Sequence, residues 1–221
     1  MIVITGASEG LGLEVAKLYK NDDKKIVNIS LTDSIAADIN MIYDLSEGKQ
    51  IEMAAKDVIA LNEPLDVLIN CAGVWTNEPI GKITEKEIKQ TMVSNVKSTI
   101  LLTSNLIAKI KKDGSDVANI SSIAGTKNYT NECVVYSASK WAVRGFSANL
   151  QRELKDTKCR VISFCPDGFH SKLMEKVTGK SSKERKDLMN VSDVALLLKQ
   201  ILDLPKNMEV SEVVITKKGA K

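Results

Sequence analysis

The chain has 221 residues, 43% hydrophobic and 27% charged, proportions of a soluble globule that exclude disorder and collagen-like structure. A chain of this length suits one domain and buries about 70% of its unfolded surface, so a core forms without disulfide or metal staples. Lys and Arg total 31 against 28 Asp and Glu, a net charge of +3 spread along the chain, too balanced to steer it onto nucleic acid or anionic lipid.

Taken in chain order, apolar runs of strand length alternate with amphipathic stretches of helix length. Strand Ile2–Thr5 is followed by a glycine-rich turn and helix Leu11–Tyr19; strands Ile26–Leu31 and Ile39–Tyr43 precede helix Gly48–Leu61. Strand Leu65–Asn70 leads to one long helix, Glu85–Lys111, which Thr84 and Glu87 open as a capping box. Strand Val117–Ser121 precedes helix Val134–Lys155, strand Arg160–Cys165 follows, and Asn190 starts helix Val191–Leu202 ahead of strand Val210–Ile215. Ser171–Lys186, polar and Lys-rich, interrupts the alternation as a substrate flap or a plain surface loop. Several strands are continuously apolar and rich in Val and Ile, as expected when both faces are covered. Strand–helix repetition predicts a doubly wound α/β fold, a single domain over residues 1–221.

No uncharged stretch approaches the roughly 18 residues that span a bilayer, and Met1 runs into the first strand without a basic leader. A cytoplasmic location with no membrane or nucleic-acid partner is therefore expected. Cys71, Cys133, Cys159 and Cys165 form no Cys-x-x-Cys pair, and His170 is the only histidine, so free thiols and no metal site are expected.

The first turn reads Thr5-Gly6-Ala7-Ser8-Glu9-Gly10-Leu11-Gly12. Glycines between a strand and a helix let backbone N–H groups approach a pyrophosphate, where the helix dipole favours anions. The same residues spell Gly-x-Ser-x-Gly, the nucleophile elbow of serine hydrolases. That alternative fares poorly: only seven residues precede Ser8, too few for an earlier oxyanion loop, and His170 is the one candidate base. Further along, Tyr136 and Lys140 stand four residues apart at the start of a helix, on one face. A neighbouring ammonium favours phenolate and lowers the tyrosine pKa, as general acid–base work requires. Asn70-Cys71-Ala72-Gly73 and Asn119–Gly125 end two strands at the carboxyl edge of the sheet, where open α/β sheets bind ligands.

In these motifs, together with Asp44-Leu45, Asn95 and Pro166-Asp167-Gly168, the sequence resembles the short-chain dehydrogenase/reductase family over nearly its whole length. The resemblance implies a Rossmann fold with a seven-stranded parallel sheet of order 3-2-1-4-5-6-7. It also implies an enzyme that moves hydride between NAD(H) or NADP(H) and a small carbonyl or alcohol. The catalytic residues it implies are Tyr136, exchanging the proton with the substrate oxygen; Lys140, lowering the tyrosine pKa and holding the ribose; Ser122, bonding the substrate oxygen; and Asn95, supporting a water relay. Cofactor contacts fall on Gly6, Ser8, Glu9, Gly10, Leu11 and Gly12, on Leu31, on Asp44 and Leu45, and on Asn70, Ala72 and Gly73. At the nicotinamide end they fall on Pro166, Gly168 and Ser171 as well as Tyr136 and Lys140. A homodimer through the helices starting at Glu85 and Tyr136 is implied too.

Three features depart from the family pattern. Ser122 lies one residue further from Tyr136 than usual, which an insertion in the Gly125–Cys133 loop would explain. Asp167 replaces a common glycine. Ser30-Leu31-Thr32 offers neither the acid of NAD enzymes nor the arginine of NADP enzymes, and Glu9, if it points inward, repels a 2′-phosphate and favours NAD(H). The first two departures keep open a second function, a dinucleotide-binding sensor or scaffold with little catalysis.

Overall fold

The computed structural model describes residues 1–126, 133–179, 181–182 and 185–219. Each Val- and Ile-rich run forms a strand: β1 (Ile2–Thr5), β2 (Ile26–Ser30), β3 (Ile39–Ile42), β4 (Val67–Asn70), β5 (Asp116–Ile120), β6 (Arg160–Pro166) and β7 (Glu212–Ile215). All pair in parallel in the order β3-β2-β1-β4-β5-β6-β7, the sheet implied by the resemblance. Thr5 is in register with Asn70, and Asn70 with Asn119, so these strand ends meet at one edge.

Successive side chains of a strand point to opposite faces, and the sequence fills both. Val3, Val27, Leu68, Val117 and Val161 face one core, covered by α2 (Gly48–Ala60), α4 (Ser98–Asp113) and α5 (Val134–Leu154). Ile2, Ile4, Ile69, Ala118, Ile162 and Phe164 face the other, covered by α1 (Gly10–Lys20) and α7 (Val191–Leu202). No helix among the described residues is long and apolar enough to cross a membrane. Cys133, Cys159 and Cys165 are buried free thiols, and Cys71 is half-buried.

Some boundaries differ from expectation. The predicted helix Glu85–Lys111 is α3 (Glu85–Met92) and α4 joined through a π-helical stretch, Val93–Lys97. Thr84 and Glu87 do form the capping box. Asn190 precedes α7 but makes no side-chain cap. The Ser171–Lys186 segment holds a short helix, α6 (Lys172–Thr178), capped by Ser171 and closed by Gly179 in the left-handed conformation; a seven-residue amphipathic turn is too short to show a period.

At the opposite edge of the sheet, Arg160 and Asp116 form a buried bidentate pair, at 2.7 and 3.1 Å. The guanidinium also donates to the carbonyls of Leu202, Leu204, Pro205 and Met208, fastening the end of α7 and the segment beyond it to β5 and β6. Lys206 Nζ also reaches Asp116 Oδ1 at 2.7 Å, so losing Arg160 leaves the buried carboxylate with one exposed ammonium in place of its bidentate partner and takes the donor from four carbonyls. Arg160→Met is expected to lower unfolding free energy by about 3–5 kcal/mol in urea titrations; a loss under about 1 kcal/mol would show that the pair stabilises little.

Candidate active site

The first turn is shaped from beneath by polar side chains at the strand ends. Asn28 Oδ1 accepts from Ala7 N at 3.1 Å, and Thr5 Oγ1 accepts from Cys71 N and Ala72 N, both at 3.0 Å. Gly6 has φ +72°, and a Cβ there would lie 3.1 Å from Ala72 Cα, so the chain turns where only glycine fits. Glu9 occupies the N-cap position of α1 without a side-chain bond to the helix, leaving the helix start open to an anion.

This turn forms one wall of a cleft of about 540 Å³ along the carboxyl edge of the sheet. Of the residues singled out in the sequence, Gly6, Ser8, Glu9, Gly10 and Leu11 line it, as do Leu31, Asp44, Leu45, Ala72 and Gly73. Ser122, Tyr136, Lys140, Pro166, Gly168 and Ser171 line the same cleft. The glycine turn and the Tyr-Lys pair, 130 residues apart, therefore open onto one space.

Lys140 is the most constrained group in it. Its side chain is buried, 7% exposed, and Nζ donates to the Ile120 carbonyl at 3.0 Å, 5.6 Å from the centre of the Tyr136 ring. Burial pushes its pKa down to about 8. The Cys71 thiol is pushed up to about 11 by the same burial, despite the ammonium, so it stands neutral at physiological pH. Ser121 and Ser122 divide their work: the buried Ser121 hydroxyl donates to the Lys140 carbonyl at 2.9 Å, tying α5 to the end of β5. Ser122 Oγ accepts only a local bond from Ala124 N at 3.2 Å and faces the cleft. A Cβ on Gly125 would sit 2.7 Å from the Lys140 carbonyl group, so glycine lets the strand end approach the helix.

Three expected site residues do not line the cleft. Gly12 lies behind the turn, where a Cβ would come 2.4 Å from the Gly6 carbonyl oxygen; its role is close packing of α1. Asn70 is buried, donating to Thr103 Oγ1 and Asn119 Oδ1, because its side chain points to the face of the sheet that α4 covers. Asn95, within the π-helical stretch, is buried and locked: its amide nitrogen donates to the Val74 carbonyl and Ser139 Oγ, and Oδ1 accepts from Val74 N at 2.7 Å. Ser139 in turn donates to the Tyr136 carbonyl, so Asn95 links α5 to the wall at Val74. The expected insertion in the Gly125–Cys133 loop falls on residues 127–132, outside the described residues. The hydrolase alternative has no geometry: Ser8 Oγ meets Ser30 Oγ at 3.0 Å, and the buried Nδ1 of His170 has no partner among the described residues.

Sequence reasoning missed Lys176. Its ammonium lies 2.6 Å from Glu9 Oε1, on the opposite wall of the cleft. The inward, unpaired Glu9 on which the preference for NAD(H) rested is thus a paired one. Asp167 is engaged as well, accepting from Gly168 N at 2.7 Å and Lys217 N at 3.4 Å. The open start of α1, the glycine-walled passage beside Ala72 and the size of the cleft together fit a nicotinamide dinucleotide.

The sequence profile of the short chain dehydrogenase family matches residues 1–182. The chain belongs to that family. Among its relatives are an uncharacterized oxidoreductase of Thermotoga maritima, 29% identical over 197 residues, covering 83% of this chain and 78% of that one. A diacetyl reductase [(S)-acetoin forming] of Staphylococcus epidermidis is 27% identical over 226 residues, covering 96% and 87%. In fold the chain matches 3-ketoacyl-(acyl-carrier-protein) reductase from Brucella melitensis complexed with NADH, with TM-score 0.87, 21% identity, and 100% and 98% coverage. It also matches an alcohol dehydrogenase from Thermococcus sibiricus complexed with 5-hydroxy-NADP, with TM-score 0.86, 18% identity, and 98% and 96% coverage. As a short chain dehydrogenase the protein is an NAD(P)-dependent oxidoreductase.

Lys140 is expected to titrate near pH 8 rather than at the ordinary 10.5, read by NMR of lysine labelled at Cε. Because this depression exists only in the fold, the neutral form is favoured there, and wild type gains stability over Lys140→Met as pH rises from about 8 towards 10.5. A midpoint near 10.5 would mean a solvated ammonium.

Proposed function

We propose that the chain transfers hydride between NAD(H) or NADP(H) and a small carbonyl or alcohol, with Tyr136 as the acid–base group. The observation that carries this is the Tyr136 phenol beside the buried Lys140 ammonium, on the same cleft as the open start of α1. The nicotinamide, when bound, supplies or takes the hydride. In carbonyl reduction the Tyr136 hydroxyl gives its proton to the substrate oxygen, which the Ser122 hydroxyl also holds by a hydrogen bond; oxidation runs the proton back to Tyr136. Lys140, charged on most molecules below pH 8, favours the phenolate left after transfer. Asn95 acts as a positioning residue, through its bonds to Val74 and Ser139.

Trp75, Val74, Leu173 and Met174 line the cleft and favour an uncharged, compact substrate, in keeping with a relative named as a diacetyl reductase. For cofactor choice, Ser30, Leu31 and Thr32 present no charge to the adenosine ribose, and Lys176 offsets Glu9. The preference for NAD(H) is therefore small, with dissociation constants of NADH and NADPH within about tenfold, about 1.4 kcal/mol. A homodimer through the outer faces of α3, α4 and α5 is supported by the exposed Ile88, Ile100, Val134 and Trp141. Light scattering at micromolar concentration is expected to give twice the chain mass.

Tyr136→Phe is expected to lower turnover at least a hundredfold, the size of a general-acid contribution, with dinucleotide affinity nearly unchanged. Undiminished turnover in a panel of small carbonyls would overturn the role. Ser122→Ala is expected to lower turnover with little change in stability. Ser121→Ala instead lowers unfolding free energy by about 0.5–1.5 kcal/mol, since it removes a buried hydrogen bond between β5 and α5 while the Lys140 carbonyl keeps its partner within the helix.

A further inference from the structure

Helix α6 reaches over the cleft with no buried side chain among its described residues. Most helices in proteins are held by packing an apolar face; in α6 Leu173 and Met174 are only half-buried, and Glu175 Oε1 accepts from Ser182 N and Oγ at 3.0 Å, a tie within the same segment. At its start Ser171 Oγ accepts from Met174 N at 3.4 Å, a bond within the segment itself. Leu173, Met174 and Lys176 face the cleft from this helix, while Glu9 and Gly10 face it from the first turn. The Lys176–Glu9 ion pair spans the two at 2.6 Å, between residues 167 apart in sequence.

We propose that Glu9 and Lys176 form a clasp which holds α6 against the phosphate-binding turn and so sets how fast a bound dinucleotide leaves. This rests on the nicotinamide reading above and adds a control on the same site. Both side chains are partly exposed, 62% for Lys176 and 36% for Glu9, so solvent screens the pair and its contribution is modest. A modest bond suits a clasp that opens in every catalytic cycle.

The sign of one substitution separates the clasp from plain electrostatics. Glu9 stands at the mouth of an anion-binding turn, so its charge alone repels a pyrophosphate, and Glu9→Gln would then slow release. The clasp requires the opposite, because losing Glu9 frees α6. Stopped-flow release of NADH, followed by its fluorescence, tests this in wild type, Glu9→Gln, Lys176→Gln and the charge-exchanged double variant Glu9→Lys with Lys176→Glu. Release about two- to fivefold faster in each single variant is expected, the range of an exposed ion pair, with the exchanged variant within about twofold of wild type. All four proteins are compared at matched melting temperature profiles, so that unfolding is not read as release. Release from Glu9→Gln that is unchanged or slower overturns the clasp and leaves the nicotinamide reading standing. A wild-type protein that binds neither NADH nor NADPH overturns both.

Discussion

The Lys140 ammonium lies out of water beneath the carboxyl ends of the strands, and much of the site is arranged around keeping it there. A buried charge is costly unless it is bonded. Here one carbonyl, that of Ile120, accepts from it, and the remaining cost appears as a pKa near 8. Such a close fit between β5 and α5 needs Gly125, whose missing Cβ admits the Lys140 backbone, and Ser121, which bonds the Lys140 carbonyl. Gly73 is required for a related reason: a Cβ there would lie 2.8 Å from Asn95 Oδ1 and 3.9 Å from Lys140 Nζ. At Gly125 the small residue follows from the approach of the Lys140 backbone, and at Gly73 from that of the Asn95 amide beside the same cation.

A second set of groups acts from below the cleft. Thr5, Asn28, Asn70 and Asn119 are buried polar residues at or near strand ends, positions where an apolar residue would also pack. Thr5 Oγ1 and Asn28 Oδ1 accept from backbone N–H groups of the turns above them, while Asn70 donates to Asn119 and Asn119 to Ser147. Loops over a sheet edge carry unpaired backbone groups, and these side chains supply the partners. The turns are thereby held in shape before any ligand arrives, which limits the entropy lost on binding.

Individuality lies in the upper wall. Tyr136, Lys140 and the glycine turn carry the reaction and cofactor class proposed above, and Trp75, Leu173 and Met174 line the rest of the same cleft. The pairing of Glu9 with Lys176 belongs to the same wall and alters the electrostatics of the first turn. A carboxylate that repels phosphate when alone becomes half of a neutral pair, so the charge of a residue near a ligand site has meaning only with its partner.

The alternation of Val- and Ile-rich runs with amphipathic stretches was enough to determine a doubly wound parallel sheet, because burying both faces of every strand leaves few other solutions. The motifs at strand ends likewise announced most of the cleft, since a strand end followed by glycine or hydroxyl residues can only lie at the sheet edge. What sequence order could not convey was the direction of each side chain there. Asn70 sits beside true cleft residues yet turns to buried partners, as Asn95 does, and Ser121 and Ser122, adjacent in the chain and both at the cleft, differ in that only the Ser121 hydroxyl is spent on the Lys140 carbonyl. Short α6, the π-helical break at Asn95 and the Glu9–Lys176 bridge were decided only by tertiary structure. Each depends on contacts between segments far apart in the chain, which no local period or spacing encodes.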